Sequence, residues 1–424
     1  MLCRSRPILP RSFPAEPVAS HSRVHWLHLF WSTLLPPSSP FSADFLSHEW
    51  PLLLEACSQP RDPERLSAAA AGVRDFESLF QLADEHGAIP HLSAALGAAP
   101  GSLRLPDSFL ATLRERQRVH LLFTLTMTAE LFRILDLLRQ STIEVMVVKG
   151  PVLALRAYGD PAARRYVDLD LLLRHSNVQS AAEILIAAGY ESRVPAEAIR
   201  AGKIPGEYLF RRPGTSVVFE LHSERTFRYY PRPIPIEKYF QRKTTLPLDG
   251  HAVPVLSAED EFILISIHGA KHFWERLMWI SDVAAMVVNH PELDWQCIRQ
   301  SARDVGAERM IRVALLLAQQ LLRVSVPQAM TDEVAGDSNC PRLVREIQSW
   351  LPYGGFASPP LAKRAFFRFR MPGRSSVGAA YLTRLSLSPT EDDWSAGDKT
   401  PRSRVVEMLG RPFRLAKKYR NPDS

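Results

Sequence analysis

The feature that most constrains the fold of this chain is a change of hydrophobic period at Ser141. Before it, apolar residues recur every three or four positions over residues 107–140, as in one long amphipathic helix. After it, Ile143 to Lys149 is a short β-branched run with the length of a buried strand. Gly150 ends this run, and Pro151 stands where the first turn of a helix tolerates proline. The chain therefore passes from a helical region into a unit that contains strands.

This unit continues to residue 222. Tyr166 to Leu173 is predicted to be a second strand, residues 177–188 a helix closed by Gly189, and Val217 to His222 a third strand. Strand, helix, strand, helix and strand follow one another within a short stretch of chain. This order is typical of a compact α/β unit.

Composition divides the chain into five segments. A Pro- and Ser-rich stretch without periodicity is expected to be a poorly ordered extension, and helical patterns lie on both sides of the strand-containing core. The predicted class is α+β: a small α/β core with a mixed sheet, flanked by N- and C-terminal helical regions. The segments are the extension 1–47, the helical region 48–140, the core 141–256, the helical domain 257–355 and the basic segment 356–424.

The net charge of +7 is concentrated near the C-terminus. From Leu361 to Ser424 the sequence has 14 Lys and Arg against 6 Asp and Glu. Such a segment suits an anionic partner such as nucleic acid, nucleotide or a membrane surface, and a solvated face is the alternative.

Cysteine usage and hydropathy bear on the compartment. The four cysteines are far apart and form no CxxC pair, so a reducing, cytoplasmic location is expected. The longest apolar run, Val24 to Leu35, is shorter than the roughly 20 residues of a membrane span, and no transmembrane segment is predicted. This run could imitate part of a signal peptide, but the nearby prolines favour an irregular extension.

Asp168-Leu-Asp170 places two acids within a strand pattern. Residues two apart in a strand point to the same face, so the two carboxylates are expected to project together. Burial of such a pair is unfavourable unless a cation compensates it, and oxygen-ligated Mg²⁺ is the usual cation. Glu220, an acid inside the third strand, is the best candidate for a third carboxylate. A purely structural role for the two aspartates is the alternative.

The order of motifs around these acids resembles the DNA polymerase β-like nucleotidyltransferase superfamily. More narrowly, it is similar to a largely uncharacterised bacterial nucleotidyltransferase family. Its hallmarks are a strand ending in Lys149-Gly150, a Tyr158-Gly-Asp160 loop, Arg164, and the Asp168-Leu-Asp170 strand. Further similar segments are Gly189-Tyr190, Glu220-Leu-His222, the helix from His268 to Asp282, Ser388 to Trp394 and Arg411 to Leu415. The resemblance covers roughly residues 50 to 420.

This resemblance implies that an acceptor attacks the α-phosphate of a nucleoside triphosphate and that pyrophosphate leaves. Asp168, Asp170 and Glu220 would then be catalytic residues that hold two Mg²⁺ ions. It further implies that four residues bind the nucleotide: Lys149, Gly150, Arg164 and His222. Pro151 stands where the superfamily commonly has Ser or Gly, so Lys149 would supply charge to the phosphates in their place.

Three other interpretations remain open at this stage. The fold could be catalytically degenerate and bind a nucleotide or a partner, or it could be an RNA-directed, toxin-like nucleotidyltransferase. The basic segment could also lie against an anionic membrane. The acceptor, whether small molecule, sugar, protein or RNA, is not predicted.

The helix from His268 to Asp282 carries residues with no predicted catalytic role. His268 and His272 have the i, i+4 spacing of a zinc pair, but a third ligand is not evident, so core or substrate-site histidines are preferred. Trp274 and Trp279 are interpreted as packing residues, and Asp282 as a residue that orients a neighbouring group or caps a helix.

Overall fold

The computed structural model describes residues 48–98, 105–200, 207–223, 236–357 and 361–387. The predicted extension 1–47 and residues 388–424 of the predicted basic segment lie outside these ranges. All described residues belong to one unit, Pro40–Ser424.

The described residues form a mixed sheet of seven strands, which confirms the α+β class. The strand order across the sheet is β3-β4-β5-β2-β1-β7-β6. The strands are β1 Val145–Val148, β2 Leu169–Leu173, β3 Glu191–Ser192, β4 Glu207–Arg211, β5 Val218–His222, β6 Thr244–Leu248 and β7 His251–Val255.

Strand direction places the predicted strands at the centre of the sheet. β2 runs antiparallel to β1 and parallel to β5, and β1 runs parallel to β7. Every residue of β1 and β2 is buried, as expected for central strands covered on both faces. The outer pairs β3 with β4 and β6 with β7 are antiparallel.

The helices before the sheet confirm the predicted helical region. The longest, α5, begins at Asp107 and ends at Gln140, and its buried residues recur along one face. The helices up to this point are α1 Glu49–Cys57, α2 Pro63–Gly72, α3 Phe76–Glu85, α4 Ile89–Gly97 and α5 Asp107–Gln140.

The helices within the sheet region connect its strands, and one of them starts directly from β1. Lys149 and Gly150 make the turn from β1 into the next helix, and both have positive φ, +55° and +49°. These helices are α6 Gly150–Tyr158, α7 Val178–Ala187, α8 Ala196–Arg200 and α9 Ile236–Arg242.

A second group of helices follows the sheet, as predicted. Ser257 is the N-cap of the first, because its Oγ accepts a hydrogen bond from the Asp260 amide at 3.2 Å. Two further helices form within the predicted basic segment. The group comprises α10 Ala258–Lys271, α11 Leu277–Asn289, α12 Trp295–Val305, α13 Glu308–Leu322, α14 Thr331–Gly336, α15 Asn339–Trp350, α16 Leu361–Arg370 and α17 Ser375–Leu387.

Two predictions about strands need correction. β2 begins at Leu169 rather than at Tyr166, so Asp168 precedes the strand instead of lying within it. The strands β3, β4, β6 and β7 were not predicted. Pro247 and Pro254 lie within the β6–β7 hairpin, and proline inside a run argues against a strand because it cannot donate to the ladder.

Buried apolar side chains form two clusters on opposite faces of the sheet. Leu169, Leu171 and Leu173 of β2 belong to the cluster that includes α5, whereas Leu172 belongs to the cluster formed with the later helices. This alternation places Asp170 on the same face as Leu172. In the described ranges, no helix combines the length and apolar character required to cross a membrane.

Candidate active site

Two acids of the predicted site are direct neighbours across two parallel strands. Asp170 of β2 is in register with Glu220 of β5, and on its other side it is in register with Val148 of β1. Residues in register on adjacent strands project to the same face. The predicted approach of Asp170 and Glu220 is therefore a feature of the fold, while their role as metal ligands stays a prediction.

His222 lies two residues beyond Glu220 and shares its face. Its Nε2 donates to Oδ1 of Asp170 at 2.6 Å and lies 3.4 Å from Oε2 of Glu220. Asp170, Glu220 and His222 are all buried, and each offers a ligand atom within 4.8 Å of the others. Among the described residues this is the group of His, Cys, Asp and Glu side chains that could hold a metal ion.

Lys149 reaches the same acid from the end of β1. Its Nζ forms an ion pair with Oδ2 of Asp170 at 2.7 Å. The Lys149 backbone has φ +55° and ψ −143°, a conformation that costs a non-glycine residue about 1 to 3 kcal/mol. Strain of this kind is found at functional sites, where the surrounding structure holds it in place. The turn therefore fixes Lys149 over the carboxylates.

Asp168 is placed differently from the other acids. It precedes β2, is half-buried, and is not part of the group formed by Asp170, Glu220 and His222. It forms no hydrogen bond or ion pair with any side chain or backbone group in the described ranges, although its charge is felt by Lys149. Its pKa is raised well above the ordinary aspartate value, first by burial and then by the charges of Asp170 and Glu220.

The remaining charges of the site stabilise Asp170 as a carboxylate. Burial by itself would raise the pKa of Asp170, but the charges and hydrogen bonds of Lys149 and His222 lower it overall. Burial opposes the charged forms of Lys149 and His222, yet the neighbouring acids raise the pKa of both. Lys149 and His222 therefore stabilise the charged form of Asp170, while the charges of Asp170 and Glu220 raise the pKa of Asp168.

Arg164 has a buried partner outside the acid group. Its Nε donates to Oδ2 of Asp282 at 2.8 Å, and its Nη1 donates to the Arg165 carbonyl at 3.2 Å. Tyr158, from the Tyr-Gly-Asp loop, donates its hydroxyl to Oδ1 of Asp282 at 3.0 Å. Asp282 thus orients Arg164, which sequence reasoning had offered as one of its roles. A phosphate contact from Arg164 remains a prediction.

The donor set fits a divalent cation. Asp168 is a carboxylate without a bonding partner in the described part of the chain, and Nδ1 of His222 is buried without one. The carboxylates of Asp170 and Glu220 are adjacent, and carboxylate oxygens are the ligands that Mg²⁺ prefers. A cation would offset the repulsion by Asp170 and Glu220 that raises the pKa of Asp168.

Comparison with known proteins agrees with the fold. The family described as uncharacterised nucleotidyltransferase matches residues 73–323, more than half of the chain. The chain therefore belongs to this family, and the predicted resemblance is confirmed. No curated protein matches the chain.

Among the similar solved structures is one of low sequence identity. It is an antigenic nucleotidyltransferase-like protein from Paracoccidioides brasiliensis, with 15% identity and a TM-score of 0.30. The match covers 50% of this chain and 96% of that chain. A TM-score this low supports no comparison of individual residues.

Proposed function

We propose that this protein is a Mg²⁺-dependent nucleotidyltransferase that transfers a nucleoside monophosphate from a nucleoside triphosphate to an acceptor. The observation that carries this proposal is the direct pairing of Asp170 with Glu220 beside an unpartnered Asp168 and a strained Lys149. Membership of the nucleotidyltransferase family supports the same chemistry.

The proposed reaction makes one bond and breaks one. An acceptor oxygen forms a bond to the α-phosphorus, the bond from that phosphorus to the bridging oxygen breaks, and pyrophosphate leaves with the electron pair. The acceptor proton passes to solvent. Divalent ions held by Asp168, Asp170 and Glu220 would stabilise charge on the entering and leaving oxygens.

The chain's own residues position the phosphates. Lys149 supplies positive charge beside Asp170, and Gly150 begins α6, whose N-terminal amides carry partial positive charge. Pro151 has no amide hydrogen to donate at this turn, which increases the importance of Lys149. Arg164, oriented by Asp282, adds a further positive charge whose field reaches Asp170.

A labelling experiment tests this proposal. Purified protein is incubated with each labelled nucleoside triphosphate, Mg²⁺ and a cell extract, and labelled products and pyrophosphate are measured. We expect labelling that disappears in Asp170→Asn and Glu220→Gln. Glu115→Gln, which changes an exposed acid paired with Arg118 on α5, is the control and retains activity. Labelling that survives both site substitutions contradicts the proposal.

One observation favours a second candidate function. Both oxygens of Asp170 are already bonded, to Lys149 and to His222. A degenerate site that keeps these bonds would bind nucleotide without a metal ion. Titration of a nucleoside triphosphate with and without Mg²⁺ separates the two functions, because only the enzyme requires the ion for tight binding.

The acceptor and the compartment remain predictions. RNA is one candidate acceptor, since the predicted basic segment would attract a polyanion, although residues 388–424 lie outside the described ranges. Affinity for RNA that falls steeply with salt concentration would support this acceptor, because bound phosphates release counterions. Binding of the chain to anionic vesicles would instead support a membrane contact by that segment.

A further inference from the structure

Three aromatic side chains form a cluster that the proposed chemistry does not use. His268 and His272 lie one turn apart on α10, with ring centroids 4.7 Å apart. Trp279 of α11 contacts both, at 5.4 Å from His268 and 5.3 Å from His272. We name these three residues the ring cluster.

The ring cluster is partly exposed. Each of its three residues is half-buried and keeps part of its surface accessible. Burial is the main cause that lowers the pKa of both histidines well below the ordinary value, so both imidazoles are neutral at pH 7. The three rings therefore offer accessible aromatic surface without charge.

The imidazole nitrogens have unused hydrogen-bonding capacity. No imidazole nitrogen of His268 or His272 forms a hydrogen bond with a group in the ranges that the structure describes, although their backbone groups do. A neutral imidazole carries one donor and one acceptor nitrogen, so the pair offers two of each. Polar groups on a partly exposed surface without a described protein partner are available to a ligand.

The ring cluster lies close to the proposed active site. On α10 the Glu261 carboxylate accepts a hydrogen bond from the Lys149 backbone, and His268 lies two turns farther along the same helix face. Lys271 forms an ion pair with Glu207, which is in register with His222 on β5. The charges of both lysines lower the pKa of the two histidines.

The backbone behind the ring cluster is held rigidly. Phe273 and Trp274 follow α10 with φ of +58° and +54°, which is unusual for two consecutive aromatic residues. Trp274 is fully buried against Gly269, where even a methyl group would lie 2.3 Å from its ring. The Phe273 carbonyl accepts a hydrogen bond from Nε1 of Trp350 at 2.9 Å. This turn fixes the path from α10 to Trp279.

We propose that the ring cluster binds the base of the nucleoside triphosphate, with the base stacked on the rings and its edge bonded to the free imidazole nitrogens. This inference rests on the proposed function, which places the phosphates beside Lys149. A zinc ion is a poorer occupant, because the described residues supply no third His, Cys, Asp or Glu ligand to the two histidines.

Binding measurements with two probes test the inference. One probe is the Mg²⁺ complex of each α,β-methylene nucleoside triphosphate, and the other is Mg²⁺-tripolyphosphate, which has no base. Trp279→Leu and Trp279→Phe form a matched pair, because both remove volume beside the core and only Phe keeps a ring. His272→Ala is a second, independent variant at the more remote imidazole. Thermal unfolding of each variant verifies folding.

We expect Trp279→Leu and His272→Ala to weaken binding of the preferred nucleotide analogue about tenfold, as for loss of a base-stacking ring. Tripolyphosphate affinity should be unchanged, and Trp279→Phe should stay close to the wild type. Equal weakening of both probes, or of neither, overturns the inference. Unchanged affinities with a raised acceptor KM also overturn it and assign the cluster to the acceptor. A wild-type protein that binds neither probe contradicts the proposed function itself.

Discussion

Buried acids occur in two regions of this molecule, and they are neutralised in different ways. Among the helices, Asp282 is bonded to Arg164 and Glu261 to Arg156, with every one of these side chains at most 5% exposed. At the sheet, Lys149 and His222 are bonded to Asp170, and Asp168 has no directly bonded cation in the described ranges. Asp282 and Glu261 thus each have one arginine partner, whereas Asp168 lies beside other acids whose charges raise its pKa.

This difference separates buried acids that stabilise the fold from buried acids that we propose take part in the reaction. Burial raises the pKa of Asp282 and of Glu261, and in each case an arginine opposes the rise. Lys149 and His222 oppose the rise at Asp168 only through their charges, without a direct bond, and its acidic neighbours add to the effect of burial. A balanced buried pair stabilises a fold when both partners are present. A buried acid that is not balanced in this way takes up a proton or binds an additional cation, and the second is what we propose for the acids at the sheet.

The largest expected effect is on the transfer rate, and it comes from substitution of an acid at the sheet. Asp170→Asn should lower the transfer rate by about 10³- to 10⁴-fold, or about 4 to 5 kcal/mol, since the central acid of the proposed metal site is lost. Pyrophosphate release at saturating Mg²⁺ measures this effect. A rate within tenfold of the wild type would show that the acids at the sheet are structural, like those among the helices.

Substitution within the buried Asp282–Arg164 pair should change stability instead. Asp282→Asn leaves the Arg164 guanidinium buried without a countercharge, and we expect a loss of about 3 kcal/mol in the free energy of unfolding. Urea denaturation measures it. The double variant Arg164→Leu with Asp282→Leu is the control, and it should recover part of the loss because no unpaired charge remains. An unchanged midpoint in the single variant would contradict this interpretation.

In the absence of metal, substitution of Asp168 should raise the free energy of unfolding, whereas substitution of Asp282 should lower it. Its folded-state pKa lies above the unfolded value of 3.8, so between the two values the folded state binds more protons. The free energy of unfolding in EDTA should therefore fall as the pH rises from 5 to 8. Asp168→Asn should remove this loss and be more stable than the wild type at pH 8, by about 1 to 2 kcal/mol.

Denaturation at both pH values, with and without Mg²⁺, measures this difference. His222 also has a raised pKa and contributes a loss in the same direction, so the difference between wild type and Asp168→Asn isolates the aspartate. Mg²⁺ should restore stability to the wild type more than to the variant. A variant that is less stable than the wild type in EDTA would place Asp168 with the balanced acids.

The smallest expected effect concerns the backbone beside the site. Gly150 has φ +49°, and a Cβ there would lie 3.7 Å from the Asp168 carbonyl oxygen, which is an ordinary contact. Gly150→Ala should thus lower stability through conformation alone, by about 1 kcal/mol. Gly97→Ala, in an α-helix with no atom within 4 Å, is the control without this loss. Equal stability of the two variants would contradict the strain at the turn.

The meeting of Asp170, Glu220 and His222 could be predicted because strands have a period of two. An acid inside an apolar run marks the polar position of a buried strand, and His222 follows Glu220 by two residues. The sequence also predicted α5 with its observed ends, because its apolar stripe is long and regular. Local periodicity carries this information without any knowledge of distant contacts.

The other contacts depend on residues far apart in the chain. Arg164 and Asp282 are separated by 118 positions, so no local pattern relates them. Asp168 looked equivalent to Asp170, but the strand begins one residue later and leaves Asp168 outside it. The ring cluster combines two helices across a strained turn, and only the tertiary structure places it beside Lys149.

The alignment of β2 with β5 has a consequence for how this protein is assembled. Acids fifty residues apart meet through one particular set of ladder bonds, and a shift of one position would turn Glu220 towards α5 and bring Phe219 to the carboxylate side. If these acids bind a divalent ion as we propose, the affinity for that ion reports whether these two strands have docked correctly. Misaligned chains would be recognisable as molecules that fail to gain thermal resistance when magnesium is added.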